Sequence, residues 1–262
     1  MRCNVCGEPA RQLFSHSILR KYECAYFYCD ACGFLQTEAP YWLDEAYATA
    51  IAQADTGLVQ RNLQISKTLT TLLFFLFDRH GTYLDVAGGY GMLTRLMRDA
   101  GFDFYWSDKY CPNLLARGFE DVPGTVYTAV TAFEVMEHLQ DPVGFISETL
   151  GMAKTRTLVF STELFENAPP APDIWWYYTF ETGQHISFYQ LRTLKVIGMK
   201  LGLKCYSNGT IHILTDKGIS WSERRLLASS KLRRVLSWIP RSLMVPKMME
   251  DHVHIMGSDQ GR

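Results

Sequence analysis

The chain has 262 residues, 47% of them apolar and 20% charged, which suits a globular protein with one main domain plus appendages and excludes a disordered, collagenous or repeat-array chain. Twenty-six basic against 27 acidic residues leave a net charge of −1, so no global electrostatic attraction to nucleic acid or membrane is expected. Leu69–Phe77 is the longest apolar stretch and is too short to span a bilayer. Cys3 and Cys6 stand where a signal peptide would need its apolar core, so a cytoplasmic protein is expected.

The chain opens on two Cys-x-x-Cys-Gly knuckles, Cys3-Asn4-Val5-Cys6-Gly7 and Cys29-Asp30-Ala31-Cys32-Gly33. Tetrahedral zinc needs four thiolates at about 2.3 Å, and each knuckle supplies two of them around a tight turn. The alternatives are a disulfide pair or unrelated buried cysteines; disulfides are disfavoured in a reducing compartment. Four thiolates leave no open coordination position, so Zn2+ on Cys3, Cys6, Cys29 and Cys32 is expected to be structural, in a small zinc-ribbon-like module. Such a module buries too little surface to fold without its ion. Cys24, Cys111 and Cys205 read as ordinary buried thiols.

Residues 57–80 carry leucines and isoleucine at helical spacing, and Gly81 follows as a stop. Tyr83–Val86 then reads as a strand running into Ala87-Gly88-Gly89-Tyr90-Gly91, with a helical pattern from Met92 to Ala100 and a second strand, Phe104–Ser107, ending at Asp108. Strand, glycine loop, helix, strand and acid form the first crossover of a nucleotide-binding sheet. The glycines let a ligand lie against the backbone, and Asp108 can accept from two ribose hydroxyls. The dinucleotide fingerprint is a poor fit, because its third glycine position is Thr94 and Asp85 would repel a pyrophosphate. An acid before the glycines suits a cationic, phosphate-free nucleoside.

On these residues the chain resembles the class I S-adenosylmethionine-dependent methyltransferases, whose first motif, acid-x-(Gly/Ala)-x-Gly-x-Gly, is matched by Asp85, Ala87, Gly89 and Gly91. Thr128–Phe133 is the next strand candidate, and it enters Glu134-Val135-Met136-Glu137-His138-Leu139-Gln140-Asp141-Pro142, similar to the segment that borders cofactor and substrate in that family. Val143–Ala153 reads as a helix, Thr157–Ser161 as a strand and Phe188–Leu203 as a helix. Cys205–Tyr206 and Thr210–Leu214 flank an Asn208-Gly209 turn of type I′. The expected fold is therefore α/β, a Rossmann-like class I methyltransferase sheet with a terminal antiparallel hairpin, behind the four-cysteine module. Expected boundaries are 1–45 for the zinc module, 46–216 for the methyltransferase domain and 217–262 for a tail. The resemblance implies cofactor contacts at Asp85, Ala87, Gly89, Gly91, Asp108, Lys109 and Glu134, with Phe119 and Glu120 flanking adenine.

The cysteine module ahead of this domain is similar to that of sugar methyltransferases of nucleotide-sugar and polysaccharide pathways. Trp175–Tyr178 and Gly183–Phe188 look like segments of methyltransferases associated with cell-surface glycans. The longer sugar C-methyltransferases carry a large C-terminal domain that is not expected in these residues, which leaves carbon and oxygen acceptors both open. A sugar hydroxyl must lose its proton as it is methylated, so acids and histidines after strands are the candidates for that task. They are His185, Glu134 and His138, with Tyr178 in an aromatic wall, Trp175–Tyr178, suited to stacking on a pyranose. For each there is a plainer role: a solvated loop acid, a helix cap, a packed histidine, a hydrophobic flap.

Arg61 reads as an exposed helical arginine rather than a ligand contact. From Lys217 to Arg262 there are nine basic and four acidic residues, with Arg224, Arg225, Lys231, Arg233 and Arg234 interleaved with leucines. Such a helix can lie on an anionic membrane; packing on the domain with its charges in water is the favoured expectation. Residues 250–262 are expected to fray.

The leading function is methyl transfer to a sugar. An RNA methyltransferase is the enzyme runner-up, opposed by the four basic and six acidic residues of the segment 1–45. A quinone-like small-molecule acceptor and a non-catalytic zinc-ribbon interaction protein complete the alternatives.

Overall fold

The computed structural model describes residues 1–47 and 55–259. In chain order the elements are β1 (Arg11–Ile18), β2 (Tyr22–Tyr28), β3 (Leu35–Thr37), α1 (Leu43–Ala46), α2 (Leu58–Leu76), β4 (Thr82–Val86), α3 (Met92–Asp99), β5 (Asp103–Ser107) and β6 (Ala129–Ala132). Next come α4 (Pro142–Met152), β7 (Thr157–Ser161), β8 (Ser187–Phe188), α5 (Leu191–Leu201), β9 (Lys204–Ser207) and β10 (Ile211–Thr215), then α6 (Trp221–Ala228), α7 (Ser230–Leu236), α8 (Trp238–Leu243) and α9 (Met248–Asp259). Parallel strands followed by an antiparallel hairpin make this the expected α/β Rossmann-like fold with a mixed sheet. The chain forms two compact units.

The first unit takes the described part of Met1–Ala54 with Ala132–Gly151 and Arg156–Gly218. Its N-terminal sheet runs β1-β2-β3-β8. In β2 the side chains of Cys24, Tyr26 and Tyr28 alternate inward, as a half-buried strand requires. They pack with Trp42, Tyr178 and Phe188 in an aromatic core, each large ring contributing about 1.5–3 kcal/mol by burial.

The last strand of that sheet corrects the expected boundaries. Phe188 pairs with Leu35 and Ser187 with Gln36, so the cysteine module is no separate domain ending near residue 45. Its third strand would present an open edge, and a segment from far along the chain covers it. For the same reason the helix expected from Phe188 begins at Leu191: Phe188 is extended in β8, and the Gln190 N–H donates to Thr193 Oγ1 at the helix start.

In the same unit β10 pairs antiparallel with both β7 and β9. The connecting turn is not type I′. Only Gly209 has positive φ (+96°), and the Asn208 side chain accepts from the Thr210 and Ile211 N–H groups instead, an Asx turn.

The second unit takes Asp55–Thr131, Met152–Thr155 and Ile219–Arg262, the last as far as it is described. Here β4 is central, parallel to β5 on one side and β6 on the other. Its residues Tyr83, Leu84 and Asp85 are all buried, as a strand covered on both faces must be. Arg61, on α2, is half-buried and paired with Asp55 at 2.7 Å.

The tail packs on this unit. Leu226 and Leu227 are buried while Arg224, Arg225, Lys231 and Arg234 stay exposed. The expected fraying from residue 250 is corrected by α9, which is helical to Asp259 and carries a buried carboxylate. Asp251 accepts a bidentate pair from Arg98 at 2.7 and 2.8 Å and a further bond from Arg95 at 2.7 Å. The Arg98 guanidinium also reaches Asp103 at 2.9 Å and lies 3.7 Å over the Phe119 ring. Among the described residues no helix is long and apolar enough to cross a membrane.

Burial opposes the Asp251 carboxylate, but the hydrogen bonds from Arg98 and Arg95 prevail and hold it below the ordinary range. Its contribution to stability is therefore present above that range and lost as pH falls through the lowered value. Asp251→Ala should cost about 3–5 kcal/mol in urea unfolding, because Arg98 is left buried with its main partner gone. A loss below about 1 kcal/mol would show that water solvates Arg98 in the variant.

Candidate functional site

The first candidate site lies in the second unit, where β4 meets the glycine loop. Asp85 is buried in the strand between Trp106 of β5 and Thr131 of β6. Thr131 Oγ1 donates to its carboxylate at 2.6 Å. Burial pushes Asp85 up to about 7, with Asp108 adding in the same direction and the Thr131 bond opposing.

A Cβ at Gly88 would lie 2.8 Å from Asp85 Oδ2 and 2.9 Å from Trp106, so only glycine passes the buried acid. Gly91, at φ +85°, caps α3 in the left-handed region and is crowded by Asn113 and Ala116. Gly89 differs: a Cβ there meets nothing within 4 Å, so the space over the loop is open to a ligand. Ala87 also holds positive φ (+54°) and is exposed, a strained geometry of the kind found beside ligands.

Asp108 anchors this loop. Its carboxylate accepts from the Gly89 N–H at 2.8 Å and from the Tyr110 and Cys111 N–H groups at 2.7 and 2.8 Å. Trp106 Nε1 donates to the Gly89 carbonyl at 2.8 Å. Oδ1 takes both the Tyr110 and Cys111 bonds, so Oδ2, which accepts from Gly89 alone, is the oxygen that keeps a lone pair for a hydroxyl. Lys109 is exposed, its ammonium 5.5 Å from the Tyr110 ring centroid.

Phe119 is corrected: it is buried against Arg98, which removes its face from any adenine. Glu120 is exposed and accepts from Asn113 Nδ2 and the Gly118 N–H.

In the first unit the four cysteine sulfurs lie within 4.8 Å of one another, with Cys3–Cys32 at 3.5 Å and Cys6–Cys29 at 3.4 Å. These separations are far above the ~2.05 Å of a disulfide and near the roughly 3.8 Å that tetrahedral zinc imposes. The knuckles are equivalent: Gly7 N–H donates to the Cys3 carbonyl and Gly33 N–H to the Cys29 carbonyl, both at 2.8 Å with positive φ at the glycine. The hydrogen bond from Cys32 holds the Cys3 thiol well below its ordinary value, while that bond, burial and the Cys3 charge push Cys32 up. Four thiolates at this spacing need a cation, so the donor set fits a metal ion with no position to spare. Of the other thiols, burial pushes Cys24 up to about 12 and Cys205 up to about 11, and it raises the half-buried Cys111 as well.

A second polar cluster in this unit joins two expected residues with one whose sequence context reads only as a helix-start acid. Glu137, His138 and His185 bring a carboxylate oxygen and two imidazole nitrogens within 4.8 Å of one another. Glu137 is 1% exposed, and its Oε1 is 4.0 Å from His138 Nε2. His138 Nδ1 meets the Gln184 carbonyl at 3.1 Å and the Tyr47 hydroxyl at 2.8 Å; His185 Nδ1 meets the Tyr177 carbonyl at 2.7 Å. A carbonyl only accepts, so both Nδ1 atoms carry hydrogen and both Nε2 atoms present lone pairs. Burial lowers His138 to about 4, against the hydrogen bond to Gln184, so its ring is neutral at physiological pH.

Glu134 is exposed at φ +57°, and its carboxylate accepts from Ser161 Oγ at 2.8 Å. Tyr178 is corrected. It is 1% exposed, packed in the aromatic core, and its hydroxyl donates to the Pro170 carbonyl at 2.8 Å. The aromatic wall is likewise reduced: Tyr177 is buried with it, Trp175 packs on the same core, and Trp176 alone stands out, 71% exposed. His212, also buried, has both nitrogens engaged, by Ser207 Oγ and the Thr162 carbonyl, and is a packing histidine.

A family described as "Methyltransferase domain" matches residues 59–208, more than half the chain. No curated protein matches it. Similar solved structures include TnmH, at 17% identity over 68% of this chain with a TM-score of 0.49. This chain spans 62% of the TnmH chain. Others are a magnesium protoporphyrin IX methyltransferase from Synechocystis with bound SAM, at 16% identity over 67% of this chain and 90% of that one, TM-score 0.39, and human N-acetylserotonin methyltransferase in complex with SAM, at 13% over 65% and 59%, TM-score 0.45. At these distances the assignment rests on the matched segment.

Replacing Thr131 by Val removes the hydroxyl that donates to Asp85. The Asp85 titration should then move above its present midpoint of about 7, followed through its carboxyl carbon by NMR. An unmoved midpoint would show that the Thr131 bond does not hold the carboxylate. Because the folded value is raised, Asp85 weakens the fold as pH rises from the ordinary carboxylate range through that midpoint.

Proposed function

The chain belongs to the methyltransferase domain family, a class of S-adenosylmethionine-dependent methyltransferases, and from that premise we propose that it methylates a hydroxyl of a sugar, nucleotide-activated or within a glycan precursor. The observation that carries the cofactor assignment is the loop held by Asp108, with open space over Gly89 and an acid, Asp85, directly before it. Asp108 accepts from a ribose hydroxyl through Oδ2. Asp85 and the backbone from Ala87 to Gly91 receive the cationic amino-acid portion, which carries no phosphate for the acids to repel. Lys109 borders the nucleoside, and Glu134 remains a candidate contact.

Methyl transfer is a displacement in which the acceptor oxygen bonds to carbon while the carbon–sulfur bond breaks. The electron pair returns to sulfur, giving neutral S-adenosylhomocysteine. The acceptor proton must leave, and the lone pairs of His138 and His185 beside Glu137 are the basic groups proposed for that task. The exposed Trp176 supports a sugar acceptor, since an aromatic face matches the apolar face of a pyranose. The four cysteines hold structural zinc. A nucleic-acid partner and a membrane anchor are not part of this reading, and a cytoplasmic location agrees with it.

Calorimetric titration of zinc-loaded protein with S-adenosylmethionine tests the proposal. Micromolar binding is expected, weakened by about tenfold or more in Asp108→Ala through loss of charge-assisted hydrogen bonds. Equal affinity in that variant would remove Asp108 from the site. Methyl-transfer assays on nucleotide sugars then test the acceptor, with transfer to RNA or phenols but not to sugars overturning that part. Metal analysis should find one tightly held zinc per chain, lost in Cys29→Ser.

A further inference from the structure

We propose that Glu137, His138 and His185 form a second metal site, which takes a divalent first-row transition ion in an open coordination sphere. Three observations converge. The three residues offer one carboxylate oxygen and two imidazole nitrogens within 4.8 Å. Their separation suits an ion better than a direct contact: His138 Nε2 and Glu137 Oε1 are 4.0 Å apart, too far for a hydrogen bond. An ion at about 2.1 Å from each donor sets donor separations of roughly 3–3.5 Å, so binding draws the His138–Glu137 pair together by about 0.5–1 Å and any wider pair by under about 2 Å.

The third observation is the orientation of the rings. His185 donates from Nδ1 to the Tyr177 carbonyl and His138 from Nδ1 to the Gln184 carbonyl. Ligating histidines carry this outer hydrogen bond, which fixes the tautomer and turns the Nε2 lone pair toward the ion. Two histidines held in that tautomer face one buried carboxylate. The rings stand edge-on at 80° with centroids 4.9 Å apart, as two ligands on neighbouring vertices of a coordination sphere do.

The donor set separates this site from the cysteine cluster. Two nitrogens and one oxygen favour zinc, cobalt, manganese or iron over calcium or magnesium, and three protein ligands leave positions for water or another oxygen donor. His138 is 24% exposed, so the site is within reach of solvent. The ion's further role rests on the methyl-transfer reading and replaces its base: with both Nε2 lone pairs on the ion, the histidines no longer take the acceptor proton. The ion instead binds the acceptor hydroxyl and lowers its pKa, so that the proton leaves to solvent before the oxygen attacks. Ion binding itself does not depend on that reading.

The test uses the full chain loaded with one equivalent of Zn2+, which fills the four-thiolate site, and then titrated with Co2+. The expected result is one further Co2+ per chain with the visible absorption of a nitrogen and oxygen site, lacking intense thiolate charge-transfer bands. His185→Asn keeps a donor for the Tyr177 carbonyl and removes the Nε2 lone pair, so it should weaken Co2+ binding about 100-fold or more. Glu137→Gln should act in the same direction, and His80→Asn, an exposed histidine in the other unit, should change nothing. No Co2+ beyond the zinc equivalent, or unaltered affinity in His185→Asn, would overturn the proposal. S-adenosylmethionine affinity, measured on the same samples, reports folding and the methyltransferase reading separately: its absence in a wild-type chain that binds Co2+ counts against that reading alone.

Discussion

A carboxylate buried within β4 is the constraint around which the second unit is arranged. Asp85 occupies a strand position that is apolar in most parallel sheets, and burying a charge there is costly unless something compensates. Thr131 supplies a hydrogen bond from the neighbouring strand. The acid also dictates the residue type three positions on, because the backbone at residue 88 passes too close to Asp85 and Trp106 for any side chain. The chain then turns through left-handed conformations at Ala87, Gly89 and Gly91, and β5 receives the turn through Trp106 and Asp108. The loop proposed to receive a cationic nucleoside thus arises from one expensive residue and the turn it forces.

The first unit depends on a different interaction, the pairing of β3 with β8. That pairing brings the segment 183–189 to the turn 136–139. The Ile186 N–H donates to the Glu137 carbonyl at 2.9 Å, and the Tyr189 hydroxyl donates to the Met136 carbonyl at 2.7 Å. With these bonds made, His185 comes to lie beside Glu137 and His138, although nearly fifty residues separate them in the chain. The cluster is a consequence of sheet closure, so its geometry is as firm as the sheet.

Much of this is legible in the sequence alone. The strand, loop, helix, strand and acid order from Tyr83 to Asp108 carries its own local signals, and so do the paired knuckles; both are short-range patterns. Other features escape because their cause is long-range. A two-residue strand such as β8 has no periodicity to detect, so Phe188 reads as helical and the cysteine module as independent. Glu137 looks like a helix-start acid because its neighbours in space are distant in sequence. Tyr178 and Phe119 suggest ligand contacts by residue type, whereas Tyr178 serves the aromatic core and Phe119 lies under Arg98. Asp251 sits in a polar C-terminal stretch, and nothing local marks it as the partner of Arg98, 153 positions earlier.

The two metal-suited clusters of the first unit are linked through the same sheet. Cys32 closes the second knuckle, and its carbonyl accepts from Thr193 Oγ1 at 2.9 Å at the start of α5. Just beyond it in the chain, Leu35 and Gln36 hold β8, and His185 stands shortly before β8 begins. A closed thiolate site has no free position for chemistry, yet it fixes the loop that fixes the strand that presents His185. A metal bound in the knuckles would therefore organise the open cluster without touching it. The sheet of the cysteine module is thus completed by a segment from far along the chain, and the same pairing places the second cluster.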